Sequence, residues 1–271
     1  VLTAGGVLSA FRTQGVVFDS YLEDGFPGVF HDYASYIGWA MLERYVAEDL
    51  IGAAYSSSWG GLTQNPVVKS AVTLALDAVN PDRVPTAFLQ GDTIGNTKDF
   101  DANYGVLVND LLFMKLTDMR YRLGGAPLAV PVTETERIPS WQEVATVQVI
   151  SRKVDEYVSA VDGVIDWPGI EQLRDRLVDG GRHFFRSALT TMEHAGIDTT
   201  CPARVLLVLK RLGAARCEEL FGAGARDDTY LRGHRPVLET DLVRETNTKR
   251  NDLIASLAAD GDTTIRGMKL V

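Results

Sequence analysis

The chain has 271 residues, 45% of them apolar and 23% charged, proportions that exclude a disordered or fibrous protein. Its 36 acidic side chains outnumber 27 basic ones, and the resulting charge of −9 with no long basic cluster repels a phosphate backbone, which argues against nucleic-acid binding. No apolar run approaches the ~20 residues that cross a bilayer, so no membrane-spanning segment is expected. Cys201 and Cys217 form neither a zinc pattern nor a disulfide framework, which points to a reducing, cytoplasmic compartment. The chain starts at Val1-Leu2-Thr3 without a methionine, and Gly267-Met268-Lys269-Leu270-Val271 reads like the entry to a strand, so both ends are expected to be cut.

In chain order, four short apolar runs end in polar or glycine-rich turns: residues 15–20, 50–55, 85–90 and 126–132. This is the pattern of parallel strands with loops at their carboxyl ends. Helical patterns lie between them. Residues 32–48 carry Tyr33, Ile37, Ala40, Met41 and Tyr45 at helical spacing. Asn65-Pro66 supplies a cap and a first helical residue for a stripe of Val68, Val72, Ala75 and Val79, with Lys69, Thr73 and Asp77 facing elsewhere. Residues 99–119 form a third helix. Ser140 with Glu143 makes a capping box ahead of Val144, Val147, Val154, Val158 and Val161.

The alternation predicts βα units over residues 1–165. From Asp166 only helices follow, at 170–178, 182–195, 203–212 and 214–221, the last three closed by Gly196, Gly213 and Gly222, so residues 166–226 read as a helical appendage. Residues 227–271 read as a linker, a helix and the start of a further domain.

Loops after strand carboxyl ends carry the chemistry of parallel α/β folds. Ser56-Ser57-Ser58-Trp59-Gly60-Gly61-Leu62 joins small residues to one large aromatic, so a flat cofactor can approach the backbone there, although the glycines equally suit a tight turn. Gln90-Gly91-Asp92-Thr93-Ile94-Gly95-Asn96 concentrates amide, carboxylate and hydroxyl groups; Gln90, Asp92 and Thr93 are candidate substrate ligands, with helix capping by Asp92 or Asn96 as the plain alternative. Gly124-Gly125 is common turn chemistry. The scattered His31, His183, His194 and His234 show no metal-ligand spacing, and no phosphate loop or dinucleotide fingerprint is present. With no strong side-chain reaction centre, a cofactor is expected to bring the difficult chemistry.

Three runs in succession resemble the carboxyl-terminal half of the large catalytic subunit of glutamate mutase, also called methylaspartate mutase. They are Gly60-Gly61-Leu62-Thr63-Gln64-Asn65-Pro66, Gln90-Gly91-Asp92-Thr93, and Val130-Pro131-Val132-Thr133-Glu134-Thr135-Glu136-Arg137-Ile138-Pro139. Leu209-Lys210-Arg211-Leu212-Gly213-Ala214-Ala215-Arg216 onward is similar to the appendage of bacterial relatives.

The resemblance implies a partial or irregular TIM-type β/α barrel with a carboxyl-terminal helical appendage. It also implies a radical mutase that uses adenosylcobalamin to rearrange a small carboxylic acid, with the cobalamin carried on a separate domain or subunit. By matched position, Glu134, which with Glu136 reads from the residues alone as a buried acceptor or a solvated charge, would hydrogen-bond the adenosyl ribose, and Trp59, Gly60 and Gly61 would face the corrin, with Gly124 and Gly125 at the next loop. Val130 stands where the family has a lysine, and the family's substrate-gripping arginines have no counterpart here, so glutamate is not implied as substrate. A non-catalytic partner of a cobalamin protein and a cofactor-free lyase or aldolase are the other readings. Homo- and hetero-oligomeric assemblies both fit.

Overall fold

A computed structural model describes residues 2–15, 17–23, 32–60, 65–80, 88–90, 96–125, 127–222, 264–265 and 268–269. The chain divides into two compact units. One holds the described residues of 1–20, 25–56 and 176–271, the other those of 21–24 and 57–175.

In the first unit, helix α1 spans Leu2–Phe11, and strand β1, Val17–Glu23, begins there. Helix α2, Tyr33–Arg44, starts where Asp32 accepts the Ala34 and Ser35 backbone N–H groups, filling two of the orphan donors of a helix start. The N–H of Asp32 itself donates to the buried Glu218 carboxylate at 2.7 Å. Beyond Arg44 the helix widens into a π-helical turn, Tyr45–Ile51, which ends at Gly52 in the left-handed region at φ 80°.

Helix α6, Trp167–His194, runs unbroken through Gly180 and Gly181, where the sequence pattern predicts a gap between two helices. Each mid-helix glycine costs about 1 kcal/mol relative to alanine. The reason for their presence is a close crossing with α2. A Cβ on Gly180 would lie 2.6 Å from that of Ala34, and one on Gly181 would lie 2.8 Å from Ile37 Cγ2 and 3.0 Å from the Gly38 nitrogen. On the other side, a Cβ on Gly38 would meet Phe184 at 2.6 Å. Helix α7, Pro202–Phe221, is broken at Gly213 (φ 73°, ψ 165°), so the expected pair of helical pieces is present. It lies against α1, and α6 lies against α2.

The second unit carries most of the parallel pairing. Strand β2, Ala54–Gly60, leads through the Asn65 cap into helix α3, Pro66–Ala78; strand β3, Phe88–Gln90, precedes helix α4, Phe100–Tyr121; strand β4, Leu128–Ala129, precedes helix α5, Trp141–Val161. Strand order is β1-β2-β3-β4. β2 and β3 are parallel with Trp59 beside Phe88, and β3 and β4 are parallel with Leu89 beside Leu128. Near the end of the chain, β5, Thr264–Ile265, and β6, Met268–Lys269, form a separate antiparallel pair.

The expectation of a TIM-type β/α barrel, whole, partial or irregular, is overturned. Helix dominates, with α4 to α7 at 22, 21, 28 and 20 residues against a seven-residue maximum for any described strand. Among the described residues the sheet is open, with β1 and β4 at its edges, whereas a barrel needs about eight staggered strands closing on themselves.

Two of the apolar runs were misread for identifiable reasons. Leu50 and Ile51 belong to the π-helical turn, so β2 begins only at Ala54. The run at 126–132 pairs over just two residues before it turns at Pro131. The face of α3 expected to point elsewhere is also buried: Lys69 meets Asp110 at 2.7 Å and Thr73 donates to Met114 Sδ at 3.7 Å, because α4 covers it.

The crossing of α2 and α6 makes glycine substitutions diverge. Gly180→Ala should lower stability, because overpacking of about 1–3 kcal/mol exceeds a helix-propensity gain of at most about 1 kcal/mol. Gly105→Ala, in α4 where an added Cβ meets nothing within 4 Å, should raise it by up to about 1 kcal/mol. Denaturant midpoints moving in the same direction for both variants would show that the crossing is not tight.

Candidate functional site at the carboxyl edge of the sheet

Parallel pairing aligns Gly60 with Leu89 and Gln90 with Ala129, so the chain leaves β2, β3 and β4 at the same edge of the sheet. Of the residues nominated from sequence, Gly60 ends β2 and Gln90 ends β3 at that edge. Gly61, Asp92 and Thr93 lie outside the described residues. Trp59 is 2% exposed and belongs to the core. Gly124 and Gly125 sit before β4, at its amino end, and are not brought to this edge. They finish α4 instead: Arg122 (φ 54°) and Gly124 (φ 73°) are left-handed, and the Gly125 N–H donates to the Asp118 carboxylate at 3.0 Å.

The turn after β4 is built from its own backbone. The Glu134 N–H donates to the Pro131 carbonyl, and those of Glu136 and Arg137 both donate to the carbonyl of buried Thr133, all at 3.0–3.1 Å. Its far end is pinned by Glu143, which accepts two hydrogen bonds from Arg137 at 2.6 and 2.9 Å and two from Ser140 at 2.7 and 2.8 Å. The capping box read from sequence is therefore present. These partners, Arg137 first and then Ser140, hold the Glu143 carboxyl down at about 2. Glu134 is exposed in the middle of the turn, and its carboxylate makes no hydrogen bond or ion pair with a described residue.

Asn103 was missed by the sequence reading. It is 2% exposed on α4, accepts the Thr97 N–H at 2.8 Å, and donates to the carbonyls of Thr97 at 2.8 Å and Val132 at 3.1 Å. A signal existed: Asn103 falls on the stripe continued by Leu107, Leu111 and Met114, and an amide in such a stripe must find buried partners.

Glu43, in the other unit, was missed as well. It accepts hydrogen bonds from Trp39 Nε1 at 2.8 Å and the Tyr55 hydroxyl at 3.2 Å, and it is also bonded to Ser20. Part of its side chain reaches the surface, but desolvation of the carboxyl outweighs those bonds and pushes its pKa up. The same unit holds a cavity of ≈ 580 Å³ lined by Gly6, Ser9, Ile51, Ala203 and Leu206 among others, and no nominated residue lines it.

Among the described residues, no group of three His, Cys, Asp or Glu side chains is placed to hold a metal ion, and no helix is long and apolar enough to cross a membrane. Comparison with protein-family models, curated proteins and solved structures gives no significant match.

The depressed pKa of Glu143 has a defined linkage. A carboxyl whose folded pKa lies below the unfolded value of about 4.3 contributes stability above that value and loses it as pH falls towards about 2. Glu143→Gln should therefore flatten the acid side of the stability profile between roughly pH 4.3 and pH 2. Parallel acid-unfolding curves for the two proteins would contradict the assignment.

Proposed function

We propose that this chain is the cofactor- and substrate-facing part of an adenosylcobalamin-dependent radical mutase. It would rearrange the carbon skeleton of a small carboxylic acid and work with a separate cobalamin-binding domain or subunit. The observation that carries the reading is the uncommitted carboxylate of Glu134. It lies on a turn at the edge where the chain leaves all three parallel strands, within the run that carries the family resemblance.

The residues present suit a nucleoside-bearing cofactor. A carboxylate can accept two ribose hydroxyls, each charge-assisted bond being worth about 1.5–3 kcal/mol when water is excluded. Gly60 lets a flat ring system approach the backbone at the same edge. When bound, the cofactor would supply the radical chemistry. The chain's own part is to bind and orient: Arg137 and Glu143 pin one end of the turn, and Glu134 presents the acceptor. Because the sheet is open among the described residues, exclusion of water would fall to the partner that covers its edge.

A second reading, a non-catalytic partner of a cobalamin protein, is favoured by one observation. Arg137, the arginine of the turn, is already engaged by Glu143 and is not free to grip a substrate carboxylate.

Glu134→Gln keeps the shape and removes the charge. Its affinity for adenosylcobalamin should fall at least about tenfold while the denaturation midpoint stays put. Undiminished binding by the variant would remove the residue-level support for both readings. If wild-type protein binds, an anaerobic absorbance change in the cobalamin on adding candidate acids separates mutase from partner.

A further inference from the structure

The two N–H bonds of the Asn103 amide go to different loops, one to the Thr97 carbonyl after β3 and one to the Val132 carbonyl after β4, while its oxygen takes the Thr97 N–H. Two loops that leave one sheet edge thus share a single rigid planar group. That group cannot rotate to suit one side without breaking its bond to the other, and the bond to the Val132 carbonyl is buried, so its loss leaves that carbonyl poorly served by water.

Asn103 rides on α4, whose start is tied to the same Thr97. Asp99 caps the helix through the Ala102 N–H at 3.1 Å, and the Asp99 N–H donates to Thr97 Oγ1 at 3.1 Å. The amide is therefore held from below by the helix and bonded above to both loops. Val132 is two residues before Glu134, and the Thr133 carbonyl between them organises the rest of the turn.

We propose that Asn103 is a positioning residue that couples the Thr97 segment ahead of α4 to the Glu134 turn, so that a ligand fixing one segment also fixes the other. The ligand half of this statement rests on the function proposed above, whereas the clamp itself does not. It predicts that contributions to binding from the two loops are not additive, because both are set by one side chain.

Asn103→Asp and Asn103→Ala dissect the clamp. Aspartate keeps an acceptor for the Thr97 N–H but loses both donors and turns a charge towards two carbonyls; alanine loses all three bonds. Hydrogen exchange on the ligand-free chain should show the Glu134, Glu136 and Arg137 amides exchanging about tenfold faster in both variants. The Thr97 amide should be accelerated only by alanine. Wild-type rates throughout the turn would overturn the clamp, as would an equal acceleration spread across α3 and α4, which marks general loosening.

In the second arm, adenosylcobalamin is titrated into wild type, Glu134→Gln, Asn103→Asp and the double variant. The penalty of Glu134→Gln should shrink several-fold in the Asn103→Asp background, and equal penalties in both backgrounds would refute the coupling to ligand. If the wild-type chain binds no adenosylcobalamin, the mutase reading and the ligand half of the proposal both fall, and the exchange rates still decide the clamp.

Discussion

Lys69 and Asp110 meet at 2.7 Å with side chains 3% and 1% exposed, and this buried ion pair fixes the frame on which the second unit depends. Taking two charges out of water costs several kcal/mol per ion even after relaxation, so the pair is weak evidence of added stability. Its consequence is for register, because sliding α3 along α4 would leave one or both charges buried alone. The Thr117 hydroxyl bonded to Ser70 at 2.9 Å and the Thr73 hydroxyl facing Met114 repeat the restriction along the same contact. α4 follows β3, so the helix register bears on where that short strand ends. A strand of three residues has too few ladder bonds to set it alone.

Features written in a few adjacent residues were legible in the sequence. The Asn65-Pro66 start of α3 and the Ser140–Glu143 box form as read, because each cap is satisfied within three residues of itself; α4 begins where its periodicity begins, but its cap is Asp99 and not the Asp92 or Asn96 that the sequence offers. What failed was everything that needed a second element. Periodicity identified one buried face of α3 but not that α4 would cover the face carrying Lys69 and Thr73. Gly180-Gly181 reads as a helix break until α2 is placed against it, when the same glycines become the condition for contact. Apolar runs of six or seven residues could not be distinguished from a π-helical turn at Ile51 or from a brief two-residue pairing at Leu128.

The same division runs through the candidate site. The turn bearing Glu134 was legible because an apolar run and a capping box bracket it, which leaves only a few residues to turn at the strand's carboxyl end. Gly124-Gly125 misled for the complementary reason: paired glycines signal a turn without saying at which end of a strand it lies, and here they finish α4. Asn103 lies 29 residues from Val132 in sequence, so only the fold brings them together.

The charges of the turn limit what it can hold. Glu134, Glu136 and Glu143 fall within ten positions, and Arg137, the basic side chain among them, is committed to Glu143 by two hydrogen bonds. Glu134 is left without a described counter-charge in a locally negative setting. A second carboxylate brought to this place would be repelled, and the repulsion would grow as water was excluded. Hydroxyl donors are suited to it, since they supply hydrogen bonds without adding negative charge. If the chain handles both a nucleoside-bearing cofactor and a carboxylic acid, the turn after β4 serves the ribose. The acid must then be gripped elsewhere, by other loops of the sheet edge or by the partner.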